Sequence, residues 1–131
     1  MSLQKIRIVS KKILKNPKGD LLKYVTKKDK YFKKFGEIYF SEIKKGEIKG
    51  WNLHKKNQCI LAVPFGKVIF TFAKNINSKK KNIIIGKNKY SLIIVPPGNW
   101  FKFKSLDKIS LVVNTLDNIH SDNETQKLQI K

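Results

Sequence analysis

The residues best suited to chemistry lie close together in the run KGWNLHKK, residues 49–56. It holds one of two histidines, His54, and one of two tryptophans, Trp51. Read with the two-residue period of a β-strand, Gly50, Asn52, His54 and Lys56 share one face, and Trp51, Leu53 and Lys55 the other. A neutral imidazole can accept a proton near pH 7. A neighbouring amide can orient hydroxyl groups, and nearby lysines can hold phosphate. This is the equipment for abstracting a proton from a small, polar, anionic ligand. The plainer alternative is a histidine that satisfies hydrogen bonds inside a half-buried strand. A polar face that does chemistry must be turned inward, which a small barrel or sandwich around a ligand achieves.

The rest of the chain supplies such a scaffold. Residues 5–9, 20–26, 37–43, 47–54, 58–63, 67–72, 82–85, 89–95, 99–103 and 108–115 read as short strands rich in β-formers. Gly, Pro and Asn turns separate them, among them Pro64-Phe65-Gly66 and Pro96-Pro97-Gly98. Residues 82–95 read as a hairpin around Gly86-Lys87-Asn88, and the polar residues 117–131 as a tail or one short helix. No long segment has a 3.6-residue period. The expected fold class is all-β, a jelly-roll sandwich or barrel, with residues 1–131 forming one domain.

The formal net charge is +20, but 28 of the 29 basic residues are Lys and only Arg7 is Arg. Readers of base edges and bidentate phosphate contacts favour Arg. The 17 Ile and 11 Asn that accompany the lysines point to a compositional bias spread over a solvated surface. A nucleic-acid partner is therefore not expected, whereas an anionic small ligand suits the charge. A single Cys59 excludes an internal disulfide and fits a reducing compartment. No apolar run approaches the roughly 20 residues of a membrane span. The expectation is a soluble, cytoplasmic protein with no membrane association. P-loop, GxGxxG and CxxC motifs are absent.

The order of motifs carries a resemblance. GEIYFSEIKKGEIKGWNLHKK (36–56) is followed by LAVPFGKVIFTF, then SLIIVPPGNWFKF (91–103), then SLVVNTLDNIHSDNE (110–124). This series resembles the dTDP-4-dehydrorhamnose 3,5-epimerase family of cupins, in a branch with a GW-x-x-H strand. The resemblance implies a jelly-roll cupin (RmlC-like), a homodimer that exchanges N-terminal strands and places residues 1–35 at its interface, and a nucleotide-linked 4-keto-6-deoxy sugar as substrate, used in surface polysaccharide (lipopolysaccharide) biosynthesis. The implied reaction is an isomerase's: proton abstraction beside the C4 ketone. No cofactor and no metal is implied, since the closely spaced histidines and carboxylate of metal-binding cupins are missing.

The resemblance departs from the family in particular places. The base is ordinarily two residues after the glycine; here that position is Asn52, and the histidine is His54, on the same strand face. Lys49 precedes the glycine, where a basic residue holds the substrate's phosphates. A histidine after the PxG turn is replaced by Phe101. The late-strand tyrosine that serves as general acid has no counterpart in Leu111-Val112-Val113-Asn114. The orienting carboxylate is left between Asp117 and Asp122. His54 is thus the candidate base, and Lys49, Asn52, Lys56, Gln58, Trp100 and Asn114 are candidate substrate contacts. Tyr90 is a possible proton donor that nothing in the sequence selects. Cys59, Phe101 and Phe103 read as core, and His120 as a solvated tail residue. The alternative to an epimerase or ketoisomerase is a cupin that binds a sugar or nucleotide without catalysis.

Overall fold

The computed structural model describes residues 5–119, 121 and 123–128. Twelve strands run in the order β1 (Arg7–Ser10), β2 (Ile13–Leu14), β3 (Leu21–Leu22), β4 (Glu37–Lys44), β5 (Ile48–His54), β6 (Cys59–Phe65), β7 (Lys67–Ala73), β8 (Lys81–Gly86), β9 (Ser91–Val95), β10 (Trp100–Ser105), β11 (Ile109–Leu116) and β12 (Thr125–Lys127). Among the described residues no helix is long and apolar enough to cross a membrane.

Two five-stranded antiparallel sheets face each other. The first has the order β1-β9-β6-β11-β4 and the second β12-β5-β10-β7-β8; β2 and β3 form a separate pair. From β4 onward the chain crosses between sheets at nearly every turn. Within the two large sheets, β7 and β8 are the one pair of sequence neighbours that are also ladder neighbours among the described strands. This corrects the expected hairpin over 82–95: β8 lies on the edge of the second sheet and β9 inside the first. The short 3₁₀ turn Lys87–Lys89 carries the chain across the sandwich. Pro64 lies within β6 rather than in a turn, and the reversal falls at Gly66, whose positive φ of 86° suits glycine.

Alternation decides what each strand buries. On β7, Val68, Phe70 and Phe72 point inward and are fully buried, while Lys67, Ile69 and Thr71 do not. Phe70, Phe72, Phe101 and Phe103 pack ring against ring at centroid separations of 5.5–6.2 Å. Each such ring stabilises the fold by about 1.5–3 kcal/mol through burial. β9 is buried on both faces, because the N-terminal segment covers the outside of the first sheet. There Tyr24 donates to the carbonyl of Ile60 at 2.7 Å and shares a 2.6 Å hydrogen bond with Thr115 Oγ1. Val9, Ile13, Leu22, Tyr24, Val25 and Phe32 pack on Ile60, Ala62, Tyr90, Leu92, Ile94 and Val113. β1 pairs with β9 of the same chain. The expected C-terminal tail or helix is instead β12, a strand laid antiparallel along β5.

Candidate active site

Between the two inner faces the phenylalanine packing leaves a cavity of about 380 Å³. That is within the range of about 300–1,000 Å³ seen for small-molecule sites. β4 of the first sheet lines it with Glu37, Tyr39 and Ser41, and β11 with Val112 and Asn114. From the second sheet come Lys49, Asn52 and His54 of β5, Phe101 and Phe103 of β10, and Thr125 and Lys127 of β12. Asn52 and His54 reach the cavity because they share a pleat face. Gly50 lets β5 run close to β10: at its φ of 116°, an added Cβ would lie 2.8 Å from Lys102 Cα and from the Phe101 carbonyl oxygen.

His54 is 6% exposed and packs against the ring of Phe101 at 6.3 Å. Its Nδ1 lies 2.9 Å from Glu124 Oε2 and 3.1 Å from Oε1. An ionised carboxylate only accepts, so Nδ1 carries the hydrogen and the lone pair sits on Nε2. Glu124 is itself 6% exposed, and its oxygens also accept from Thr125 Oγ1 at 2.7 Å and from the Asn57 amide at 3.0 Å. Burial pushes the Glu124 carboxyl up, but these hydrogen bonds and the facing imidazole outweigh it and hold it below the ordinary carboxylate value.

A second set of contacts holds that carboxylate in place. Lys55 N–H donates to the Glu124 carbonyl at 2.8 Å, and the fully buried Asn57 accepts from Asn118 N–H through Oδ1 at 2.8 Å. The 55–58 turn thus grips the segment that precedes β12. Asp117 does not orient the base; it accepts from Gln58 N–H at 3.1 Å. Asp122 and His120 lie outside the described residues.

Of the sequence candidates, His54, Lys49, Asn52 and Asn114 meet at one cavity, and three others do not. Gln58 is buried, and its Nε2 donates to the Tyr31 carbonyl at 2.7 Å, tying down the N-terminal segment. Lys56 shares the period-two face of His54 on paper, but β5 ends at His54, and Lys56 sits exposed in the following turn. Trp100 alternates with the cavity-lining Phe101, which places it on the other face of β10. Tyr90, offered as a donor, is buried beneath the N-terminal segment on the outside of the first sheet. Trp51 faces outward from the second sheet under Lys102, whose ammonium is 4.8 Å from the indole centroid. Cys59 is buried in the core, and burial pushes its thiol up to about 12.

Sequence reasoning missed Glu124, Tyr39 and Lys127. Glu124 and Lys127 lay in a stretch read as a tail. Residues 123–127 read Asn-Glu-Thr-Gln-Lys, all polar, so no apolar alternation marks them as a strand. Lys49 donates to Ser41 Oγ at 2.7 Å and to the Glu42 carbonyl at 2.6 Å, which holds its ammonium at the cavity wall with no carboxylate partner among the described residues. Lys127 lies across from Asn52 in the β12–β5 ladder. Among the described residues no group of three His, Cys, Asp or Glu side chains could hold a metal ion.

Two crossed-over antiparallel sheets around an inner cavity, with a histidine–carboxylate pair on its wall, define a jelly-roll cupin. Its likeness among solved structures is to dTDP-sugar isomerases and epimerases. The chain is similar to a dTDP sugar isomerase from Desulfovibrio desulfuricans G20, with a TM-score of 0.90 and 25% identity over 97% of this chain and 85% of that one. It is also similar to the dTDP-6-deoxy-D-glucose-3,5-epimerase RmlC of Legionella pneumophila Philadelphia 1, solved with dTDP-4-keto-L-rhamnose (TM-score 0.81, 15% identity, 95% and 72% covered). A third likeness is to QdtA, a sugar 3,4-ketoisomerase from Thermoanaerobacterium thermosaccharolyticum solved with TDP (TM-score 0.78, 17% identity, 92% and 86% covered). No protein-family model and no curated protein matches the chain in sequence.

Proposed function

We propose that the protein is an isomerase of nucleotide-linked 4-keto sugars, an epimerase or ketoisomerase that works by abstracting the proton beside the ketone. The observation that carries this reading is the buried His54–Glu124 pair on the wall of a sugar-sized cavity, in a fold shared with dTDP-sugar isomerases. His54 Nε2 takes the proton, and Glu124 holds the ring and stabilises the imidazolium that forms. The electron pair of the broken C–H bond moves to the carbonyl oxygen as an enolate. Asn52, beside His54, is placed to orient the sugar. Lys49 and Lys127 bring positive charge to the same wall for the diphosphate and the developing enolate. The cavity admits the sugar, and the nucleotide extends beyond its mouth.

We also read the protein as a cytoplasmic homodimer. A buried, unpaired Cys59 and a nucleotide-linked substrate accord with the cytoplasm. β4 is an edge strand whose outward face leaves Ile38 and Phe40 exposed, 44% and 68%, close to Phe35 at 60%. A second copy would cover them.

Incubation with dTDP-4-keto-6-deoxyglucose in heavy water tests the function. Deuterium enters the sugar at the carbon next to the ketone, and His54→Asn abolishes its entry while dTDP still binds. Absence of deuterium at C3 and C5 with the wild-type protein overturns the reading.

A further inference from the structure

The inner cavity lies toward the β4 edge of the first sheet and the β12 edge of the second. A second cavity, of about 690 Å³, lies toward the opposite edge of the second sheet, that of β8. Three turns meet there: the reversal between β6 and β7, the end of β8 with the 3₁₀ turn after it, and the turn between β10 and β11. No residue that lines it also lines the inner cavity. Its volume is again within the range of about 300–1,000 Å³ seen for small-molecule sites.

The walls of this cavity are fixed from within. Ser105 and Ser110 are 1% and 0% exposed, and their hydroxyls share a hydrogen bond at 2.7 Å. Ser110 Oγ also accepts from Lys67 N–H at 3.1 Å, and Ser105 Oγ from Asp107 N–H at 3.3 Å. Leu106 N–H donates to the Lys67 carbonyl at 2.8 Å. A buried serine pair thus ties the β6–β7 reversal to the β10–β11 turn. Gly66 lets the reversal sit on that pair, since an added Cβ would run into Ser110. A site held in this way loses little entropy when a ligand enters.

Its lining combines an apolar face with charge. Phe65 and Ile84 are largely exposed and offer a surface on which a flat ring can lie. Lys67, Lys87 and Lys89 surround it, against one acid, Asp107. Lys87 Nζ is held 3.2 Å from Asp20 Oδ2. Lys67 and Lys89 have no carboxylate partner among the described residues. Two free ammonium groups suit a phosphate. The Asp107 carboxylate repels a bare anion but accepts from a ligand that also carries O–H or N–H groups. Ring, phosphate and hydroxyl groups together describe one class of ligand.

We propose that this second cavity binds a nucleoside phosphate, with the base against Phe65, the phosphates on Lys67 and Lys89, and the sugar hydroxyls on Asp107. The site stands apart from the reaction read from the inner cavity and does not depend on it.

Titration of ADP into the isotope-labelled full chain, followed by NMR amide shifts, tests this. ADP moves the amides of Gly66, Gly86, Lys89 and Asp107 in one saturating transition. Adenosine, which lacks the phosphates, and pyrophosphate, which lacks the base, each bind there at least about 10-fold more weakly. Phe65→Ala weakens ADP by about 10-fold, and so does Phe65→Leu, which keeps the bulk without the flat ring. Lys67→Glu combined with Lys89→Glu removes the shifts. Pyrophosphate that binds as tightly as ADP reduces the cavity to a patch of basic surface and overturns the proposal. ADP binding unchanged in Phe65→Leu overturns it too, as do shifts confined to Asn52 and Asn114 on the inner cavity. The same four amides moving on dilution without ADP would assign the cavity to a second copy of the chain, and the proposal would fail.

Discussion

Replacing Glu124 with Gln probes the proposed role of the His54–Glu124 pair at nearly constant shape. Glu124 makes four contacts through two oxygens: Oε1 with Asn57 N–H and His54, Oε2 with His54 and Thr125 Oγ1. Glutamine keeps one acceptor and turns the other position into a donor. The buried Asn57 N–H has only an acceptor to meet, so the carbonyl stays there and the NH₂ faces His54 Nδ1. Nδ1 then has to accept, the ring hydrogen moves to Nε2, and the lone pair is withdrawn from the substrate. The electrostatic part alone has a definable size. A hydrogen bond to a charged group is worth about 1.5–3 kcal/mol and a neutral one about 0.5–1.5. Their difference, about 1–2 kcal/mol, corresponds to roughly 5–30-fold in rate. The tautomer change adds to that, so deuterium exchange falls by at least about 10-fold. The same substitution lowers the melting temperature by only a few degrees, about what 1 kcal/mol does in a chain of this size. Exchange within about twofold of wild type, less than 0.5 kcal/mol by rate, in a folded Glu124→Gln protein would refute the assignment of Glu124 to the base.

Three further outcomes follow from the geometry. Gly50→Ala places a Cβ 2.8 Å from the β10 backbone at a positive φ, so it costs about 2 kcal/mol or more of stability by urea unfolding and displaces Asn52 and His54 together. Glu124 and Asp29 both have folded-state carboxyls held below their ordinary values. The unfolded chain therefore takes up protons first, and the stability they contribute, present above the unfolded values near 4.5 and 3.8, is lost as pH falls through the lower folded values. Melting scans from pH 6 downward show this as a declining midpoint, and Glu124→Gln flattens part of the decline. Phe40→Lys, on the exposed face of edge strand β4, shifts the light-scattering mass from dimer to monomer and leaves the folded spectrum unchanged.

Much of the fold could be read along the chain because strand alternation is a local property. The stretches around Val68-Phe70-Phe72 and Asn52-His54 announce their inward faces in a few residues. His54 and Asn52 turn inward on one pleat face, whereas Lys49 joins them only because the β5–β10 ladder shifts register between Asn52 and Lys49, which the two-residue period does not foretell. Lys56 shows where that reasoning stops: the period continues on paper, but the strand ends at His54. The apparent hairpin at 82–95 fails for a related reason. A turn signal marks where a chain reverses, and both a hairpin and a crossing between sheets reverse it.

The amino-acid order by itself determined an all-β sandwich, a Cys59 with no second cysteine to pair with, and a strand whose polar face carries His54. Those follow from periodicity, composition and residue chemistry within short windows. Only the folded chain decided that Glu124, 70 residues away, is the partner of His54, and that Tyr39 stands across from Asn114. Pairings of that kind depend on sheet order and register, which are settled by packing among strands distant in sequence. No local pattern in the chain encodes them.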